Sequence, residues 1–507
     1  MDVTRVTTSD KTFVQYASFF PSFLPPQSYR YVVNSFSVSH LSYGLISHRG
    51  KMVGYHSVFP FESLPVEIIQ HILALCIPFI DDNSSIQDIR TKSSCAHRAR
   101  TTLSLVSRSW NRLLTSTPRA WTLHSIPLNP VLIPLFSPSY SGILPLHLYV
   151  SALGERSIFA DLRHGIISCL PRCITFAIEM DGPWAANTLL RHADTAANED
   201  DTTYLPSLRD LRVVQKREND LVIFQIVEAC NLEILELHHG AISLFWRLSP
   251  VTLQSLRILS LVAPEYPTSM DFLHRLASCT KLESLVLNVD FRSRGLSHDA
   301  DTPVSLTAIP IYDVFHIQFN KLSHINLSHS NHSTTVPIFR YISTPALTCF
   351  EYSPSSTADF PMAVHISTFN AISASLKHLR ISSFTLYEPP PGEFVSPFSQ
   401  LETLTLDRCH ISHTFFQSLN GTDSDNPASL LLSRLQQFTV RNCFFDAYTL
   451  LEFIRNRKSL HTAHSAPRLR VYITVSHMEQ ITWHCFKEEL AALDIDLQIR
   501  NCGRVVQ

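Results

Sequence analysis

The side chains best suited to acid–base or metal chemistry in this chain of 507 residues are its 25 histidines and 11 cysteines, and neither set is grouped as that chemistry requires. A zinc site legible in sequence has closely spaced ligands, as in CxxC or HExxH, and neither pattern occurs. Cys169 and Cys173 are close to each other but isolated from further ligands. No GxSxG elbow exposes a nucleophile, and no GxxxxGK loop cradles a phosphate. His324 and His378 alternate with leucines, so a strand would turn them to its polar face, where solvent exposure and ligand contact both remain open. These observations predict no catalytic residue, no metal ligand and no cofactor site, and therefore a protein that is not an enzyme.

The elements that would position such side chains are announced by a recurring Leu-x-x-Leu-x-Leu unit. It occurs at Leu208/Leu211/Val213, Leu232/Leu235/Leu237, Leu256/Leu259/Leu261 and Leu282/Leu285/Leu287, with starts 24, 24 and 26 residues apart. Further copies begin at Leu322, Leu347, Leu376, Leu401, Leu435 and Leu469. The last two apolar positions alternate as one short strand requires, and the period of 20 to 29 residues matches leucine-rich repeats. A single unit cannot bury its own leucines, so the reading is a curved solenoid of stacked units with a parallel sheet. Leu211, Leu235, Leu259, Leu285, Ile325, Leu379, Leu404 and Phe438 are its expected core. Longer intervals predict loops around 291–312 and 418–428. Cys409 and Cys443 fall just after strands and Cys230 and Cys279 at the ends of helix-compatible segments, positions that suit structural cysteines.

Ahead of the repeats, FESLPVEIIQHILALC reads as a helix, with Ser63 as cap, Pro65 in the first turn, and Ile68, Ile69, Ile72, Leu73 and Leu75 on an apolar face. The polar stretch from Pro78 to Arg100 reads as a loop or a mobile short helix. A second helix is predicted through Leu103, Val106, Trp110, Leu113 and Leu114, ending before Pro118.

LPVEIIQHIL together with LSLVSRSWNRLLTSTPRAW resembles the F-box, and the chain as a whole resembles the F-box/leucine-rich-repeat proteins of mushroom-forming fungi. The resemblance implies that Leu64, Pro65 and Ile68 begin a surface for a Skp-type adaptor. Ile72, Leu75, Leu103, Val106 and Trp110 would be shared between that surface and the module's core. The implied fold class is α/β, an F-box-like helical module followed by a leucine-rich-repeat solenoid with a curved parallel sheet. The implied function is substrate recognition in an SCF-type cullin-RING ubiquitin ligase, with the Skp-type adaptor and cullin complex as one partner and an unknown target protein as the other. A leucine-rich-repeat interaction scaffold without ligase association is the alternative. The corresponding division is an extension at 1–59, the helical module at 60–124, a linker with irregular first repeats at 125–204, and the solenoid with its C-terminal cap at 205–507.

Composition narrows the field further. With 45% hydrophobic and 17% charged residues, most of the chain has enough apolar surface to fold. A net charge of -2 supplies no basic surplus for a nucleic-acid backbone or an anionic membrane. The long uncharged stretch from 120 to 154 is broken by Pro127, Pro130, Pro134, Pro138 and Pro145, which argues against a spanning helix. Scattered cysteines in odd number predict a reducing, cytoplasmic or nuclear compartment.

Overall fold

The computed structural model describes residues 64–81, 84–126, 138–152, 166, 168–180, 203–215, 227–266, 269–291, 317–330, 342–354, 375–386, 398–419, 432–464, 469–475, 488–489 and 496–501. The chain divides into two compact units, Met1–Glu179 and Met180–Gln507. The expected extension at 1–59, Ser63, and most of the two expected insertions lie outside the described residues.

The first unit opens with helix α1 (Val66–Leu75), which starts directly after Pro65 with no side-chain cap. Ile69 and Leu73 are its buried residues, and they pack with Ile77, Leu103, Leu114, Ala120, Trp121 and Leu123. Next comes helix α2 (Ile86–Val106), 21 residues long, where a loop or mobile short helix was expected over Pro78–Arg100. The correction has a local cause and a packing cause. Ser85 and Asp88 form a capping box, with the Asp88 N–H donating to Ser85 Oγ at 3.2 Å and the Ser85 N–H donating to Asp88 Oδ2 at 2.9 Å. The buried stripe then runs Ile86, Ile89, Ser93, Ala96, Arg100 and Leu103, a helical spacing in which half the residues are polar or small.

Arg100 can be buried because its partners are built in. Its guanidinium donates to the carbonyls of Ala120 and Leu123 at 2.9 and 2.7 Å and lies over the Trp121 ring, 5.2 Å from the centroid. Burial lowers its pKa to about 10, which still leaves it charged at neutral pH. The predicted second helix is also revised. The chain is extended at Ser107, whose Oγ accepts the Trp110 N–H at 3.2 Å, so VSRSW is split between α2 and a separate helix α3 (Arg108–Thr115). Trp121 closes the turn after α3 by donating Nε1–H to the Leu114 carbonyl at 2.8 Å. Strands β1 (Leu123–Ile126), β2 (Leu146–Ala152) and β3 (Cys173–Met180) follow, with β1 parallel to β2 and Leu123 beside His147. Arg90 of α2 reaches Glu179 of β3 at 3.4 Å.

The second unit is organised by a parallel sheet whose strand order is its chain order. Its strands are β4 (Asp210–Gln215), β5 (Ile234–His238), β6 (Ile258–Tyr266), β7 (Ser284–Phe291), β8 (His324–Ser330), β9 (Cys349–Pro354) and β10 (His378–Ser382). They continue with β11 (Thr403–Asp407), β12 (Gln437–Arg441), β13 (Arg470–Val475) and β14 (Asp496–Asn501). One inner row runs in register through Leu211, Leu235, Leu259, Leu285, Ile325, Phe350, Leu379, Leu404, Phe438 and Val471. Every member is buried. A second buried row, two residues on, runs from Val213 through Leu237, Leu261, Leu287, Leu327, Tyr352, Ile381, Leu406 and Val440 to Ile473. Burial of one such leucine contributes roughly 1.5 to 3 kcal/mol. The alternation turns the intervening residues, among them Arg212, Glu236, Asn326, Glu351 and Arg380, to the opposite face.

The connections do not repeat as the strands do, and this corrects the expected fold class. A 3-10 stretch over His239–Arg247 and helix α4 (Pro250–Ser255) join β5 to β6, whereas helix α5 (Ser269–Leu276) joins β6 to β7. Helices α6 (His413–Leu419) and α7 (Ala447–His464) follow β11 and β12 and differ in length, 7 against 18 residues. Among the described residues no helix lies between β8 and β9, where a two-residue strand, Ile342–Ser343, pairs with Ile317–Gln318 instead. The architecture is a large parallel β-sheet with irregularly placed helices rather than a leucine-rich-repeat solenoid of repeating strand–turn–helix units. Leucine periodicity reports where strands bury their inner face, and it carries no information about the connections. Among the described residues no helix is long and apolar enough to cross a membrane.

Candidate metal centre

His324 is the first residue of β8, Cys349 the first of β9, and Glu351 the third of β9. Register sets His324 beside Cys349 and Asn326 beside Glu351. Between them Ile325 and Phe350 are buried in the inner row, so pleating turns the three polar side chains together onto the other face, where each is half-buried. One ligand atom of each lies within 4.8 Å of the others. In a tetrahedral zinc site, adjacent ligand atoms are roughly 3.3 to 3.8 Å apart. Small side-chain rotations on a fixed backbone would close that difference.

The surroundings already orient each side chain. Ser284 Oγ contacts His324 Nδ1 at 3.0 Å, which leaves Nε2 directed toward Glu351 Oε1 at 3.8 Å. That second contact is an ion pair rather than a hydrogen bond. Asn326 donates to Glu351 Oε2 at 3.1 Å and Arg380 lies 3.7 Å from the same oxygen, so Oε1 remains the oxygen facing His324. Arg380 is in turn anchored by Asp407 at 3.1 Å. Contact with the Cys349 sulfur, and then with Glu351, pushes the His324 pKa up to about 9 against the opposing effect of burial. The same His324 contact, followed by the charge of Arg380, holds the Glu351 carboxyl below its usual range. The His324 imidazole therefore carries a proton at neutral pH, which a metal ion bound through Nε2 would have to displace.

A second charged group on the sheet differs in the decisive respect. Arg212 is held by Asp210 at 2.8 Å and Glu236 at 3.2 Å, and Glu236 also meets His238 at 2.9 Å. The centre of that network is already filled by a buried guanidinium, so it acts as a packed ion network. The Cys169–Cys173 pair is not a metal centre either. The Cys173 thiol donates to the Cys169 carbonyl at 3.4 Å, and burial raises both thiol pKa values, which disfavours the thiolate a metal needs.

Of the two histidines singled out by alternation, His324 joins the cluster, whereas His378, paired in register with Cys349, is exposed and outside it. Cys349 and Glu351 escaped the sequence reading because they lie 25 and 27 residues from His324 in the chain. The only available signal was their offset from the nearest leucines, which gives His324 and Cys349 the same place in successive strands.

The residues assigned to an adaptor surface are distributed unevenly. Pro65 is exposed, as are Ile68, Leu75 and Val106 at 43%, 60% and 42%. Leu64, Ile72 and Trp110 are half-buried, with Leu64 and Trp110 packed against the helical core, and Leu103 belongs to that core. Leu103 is therefore closed to any partner in this conformation.

Neither a family model nor a curated protein matches the chain. The resemblance to F-box/leucine-rich-repeat proteins is corrected by the architecture, a parallel sheet with irregular helix placement. With it fall the readings as a substrate receptor of an SCF-type ligase, as a partner of a Skp-type adaptor and cullin complex, and as a leucine-rich-repeat scaffold. The expectation of a protein that is not an enzyme is corrected by the His324, Cys349 and Glu351 cluster, a group of donors that could hold a metal ion.

Proposed function

We propose that this protein binds a divalent transition-metal ion of the Zn2+ type on the polar face of its sheet and uses that ion to engage a second molecule. The observation that carries the reading is the convergence of an imidazole, a thiol and a carboxylate, drawn from two adjacent strands, within 4.8 Å. One sulfur, one nitrogen and one oxygen donor suit zinc better than magnesium or calcium, which favour oxygen alone. Three protein ligands leave one position of a tetrahedral ion open, the pattern of catalytic rather than closed structural zinc. A zinc ion in such a site supplies Lewis acidity toward a carbonyl or phosphoryl oxygen. The protein's own part is orientation: Ser284 fixes the imidazole, Asn326 and Arg380 hold the far carboxylate oxygen, and the strand backbones set the spacing.

Titration calorimetry of the reduced, chelator-treated full chain with zinc chloride tests the proposal. The expected result is one site that His324→Ala or Cys349→Ala weakens by at least tenfold, with Ser284→Ala losing about 10- to 100-fold through misorientation of the ring. Unchanged binding in both His324→Ala and Cys349→Ala would place the zinc on other thiols and overturn the reading.

A further inference from the structure

Cys409 and Cys443 occupy equivalent positions after neighbouring strands. Asp407 and Arg441, the last residues of β11 and β12, are register partners. Each is followed by a residue in the left-handed region, Arg408 at φ 53° and Asn442 at φ 51°, and then by the cysteine. The shared turn keeps the two segments aligned beyond the strands. The Arg408 N–H donates to the Arg441 carbonyl at 2.7 Å, and the Phe444 N–H donates to the Cys409 carbonyl at 2.9 Å. The Cys409 N–H points at Cys443 Sγ at 3.3 Å. Adjacent strands lie about 4.7 to 4.9 Å apart, inside the roughly 4.4 to 6.8 Å between Cα atoms that a disulfide spans. The spacing of the two register-matched positions is therefore of the size a disulfide requires.

The thiols are held without being consumed. Cys409 Sγ lies within weak hydrogen-bond distance of the carbonyls of Ile381 and Asp407, and Cys443 Sγ of those of Leu406 and Arg441, at 3.3 to 3.6 Å, so each thiol proton has a choice of acceptors. Cys409 is fully buried, whereas Cys443 is partly exposed. From this arrangement we propose that Cys409 and Cys443 are a redox modification site, closing to a reversible disulfide when the protein meets hydrogen peroxide. Peroxide reaches the accessible Cys443 sulfur, its O–O bond breaks, and a sulfenic acid and hydroxide form. The Cys409 thiolate then attacks the Cys443 sulfur, forms the S–S bond and expels the second hydroxide. The two thiol protons convert both hydroxides to water, so two thiols and one peroxide give one disulfide and two waters. The site is independent of the metal centre, since neither cysteine is one of its ligands.

The test is peptide mapping of the reduced full chain after brief treatment with hydrogen peroxide, alkylation of remaining thiols and digestion without reductant. The expected product is a Cys409–Cys443 cross-linked peptide that dithiothreitol reverses, that Cys443→Ser lacks, and that Cys349→Ser retains. Recovery of Cys409 and Cys443 as separately alkylated thiols, under conditions that oxidise other cysteines of the chain, would overturn the proposal. So would pairing of either residue with a different cysteine. The mapping needs no variant to fold, because the unaltered protein gives the primary result.

Discussion

Truncation of Leu404 to alanine measures how strongly the inner row holds the sheet. Leu404 is fully buried and lies in register between Leu379 of β10 and Phe438 of β12. The substitution removes three carbons, worth about 0.8 kcal/mol each by transfer, and leaves a cavity that aromatic neighbours fill poorly. Phe438 is already engaged, 6.3 Å from Phe416 of α6 and 5.4 Å from Phe453 of α7 between ring centroids, so it is not free to move into the space. The expected cost is therefore about 3 to 4 kcal/mol. Hydrogen exchange on the full chain is the suitable assay, because a large protein of two units need not unfold in one step. Amides of β10, β11 and β12 should lose at least about a hundredfold in protection, and those of β2 should not change. Thr405→Ala, on the opposite face of the same strand, should cost less than about 1 kcal/mol. A Leu404→Ala cost below 1 kcal/mol, or one equal to that of Thr405→Ala, would refute the assignment of the inner row.

Two further predictions concern the first unit. Arg100→Met should destabilise it by about 2 to 4 kcal/mol, because the carbonyls of Ala120 and Leu123 lose a charged donor inside the core; urea denaturation followed by α2 hydrogen exchange checks this, and a loss below 1 kcal/mol would contradict it. His124 is buried, and desolvation followed by the Arg100 charge lowers its pKa to about 3 from an ordinary value of 6.5. The unfolded chain therefore binds a proton that the folded chain rejects, so this contribution to stability is intact above pH 6.5 and declines as pH falls toward 3. Between pH 6.5 and pH 5 the loss is about 2 kcal/mol, and His124→Gln should remove that slope when urea melts of parent and variant are compared.

How far the sequence carries the structure depends on what each element needs. Strand inner faces are legible because alternation places Leu235, Leu259 and Leu285 at a constant offset whatever connects them. Helix α2 was hidden because Ser93 and Arg100 occupy its buried stripe, and a polar residue at a core position looks like a loop until its tertiary partners are known. The regular spacing of the early leucines also suggested equal repeating units, whereas the connections vary from α4, of 6 residues, to α7, of 18. His324, Cys349 and Glu351 were invisible as a group for a related reason. Metal motifs are recognised when ligands are close along the chain, and these meet through strand register across 25 residues.

Replacement of zinc by Co2+ reads directly whether His324, Cys349 and Glu351 hold one transition-metal ion. Cobalt added to the reduced full chain should give a thiolate-to-metal charge-transfer band in the near ultraviolet and visible bands of tetrahedral intensity. Zinc should displace the cobalt, and Cys349→Ser should abolish the charge-transfer band from this site. His324→Ala should weaken the visible bands. A charge-transfer band that persists at full intensity in Cys349→Ser, or weak octahedral bands alone in the parent, would contradict it.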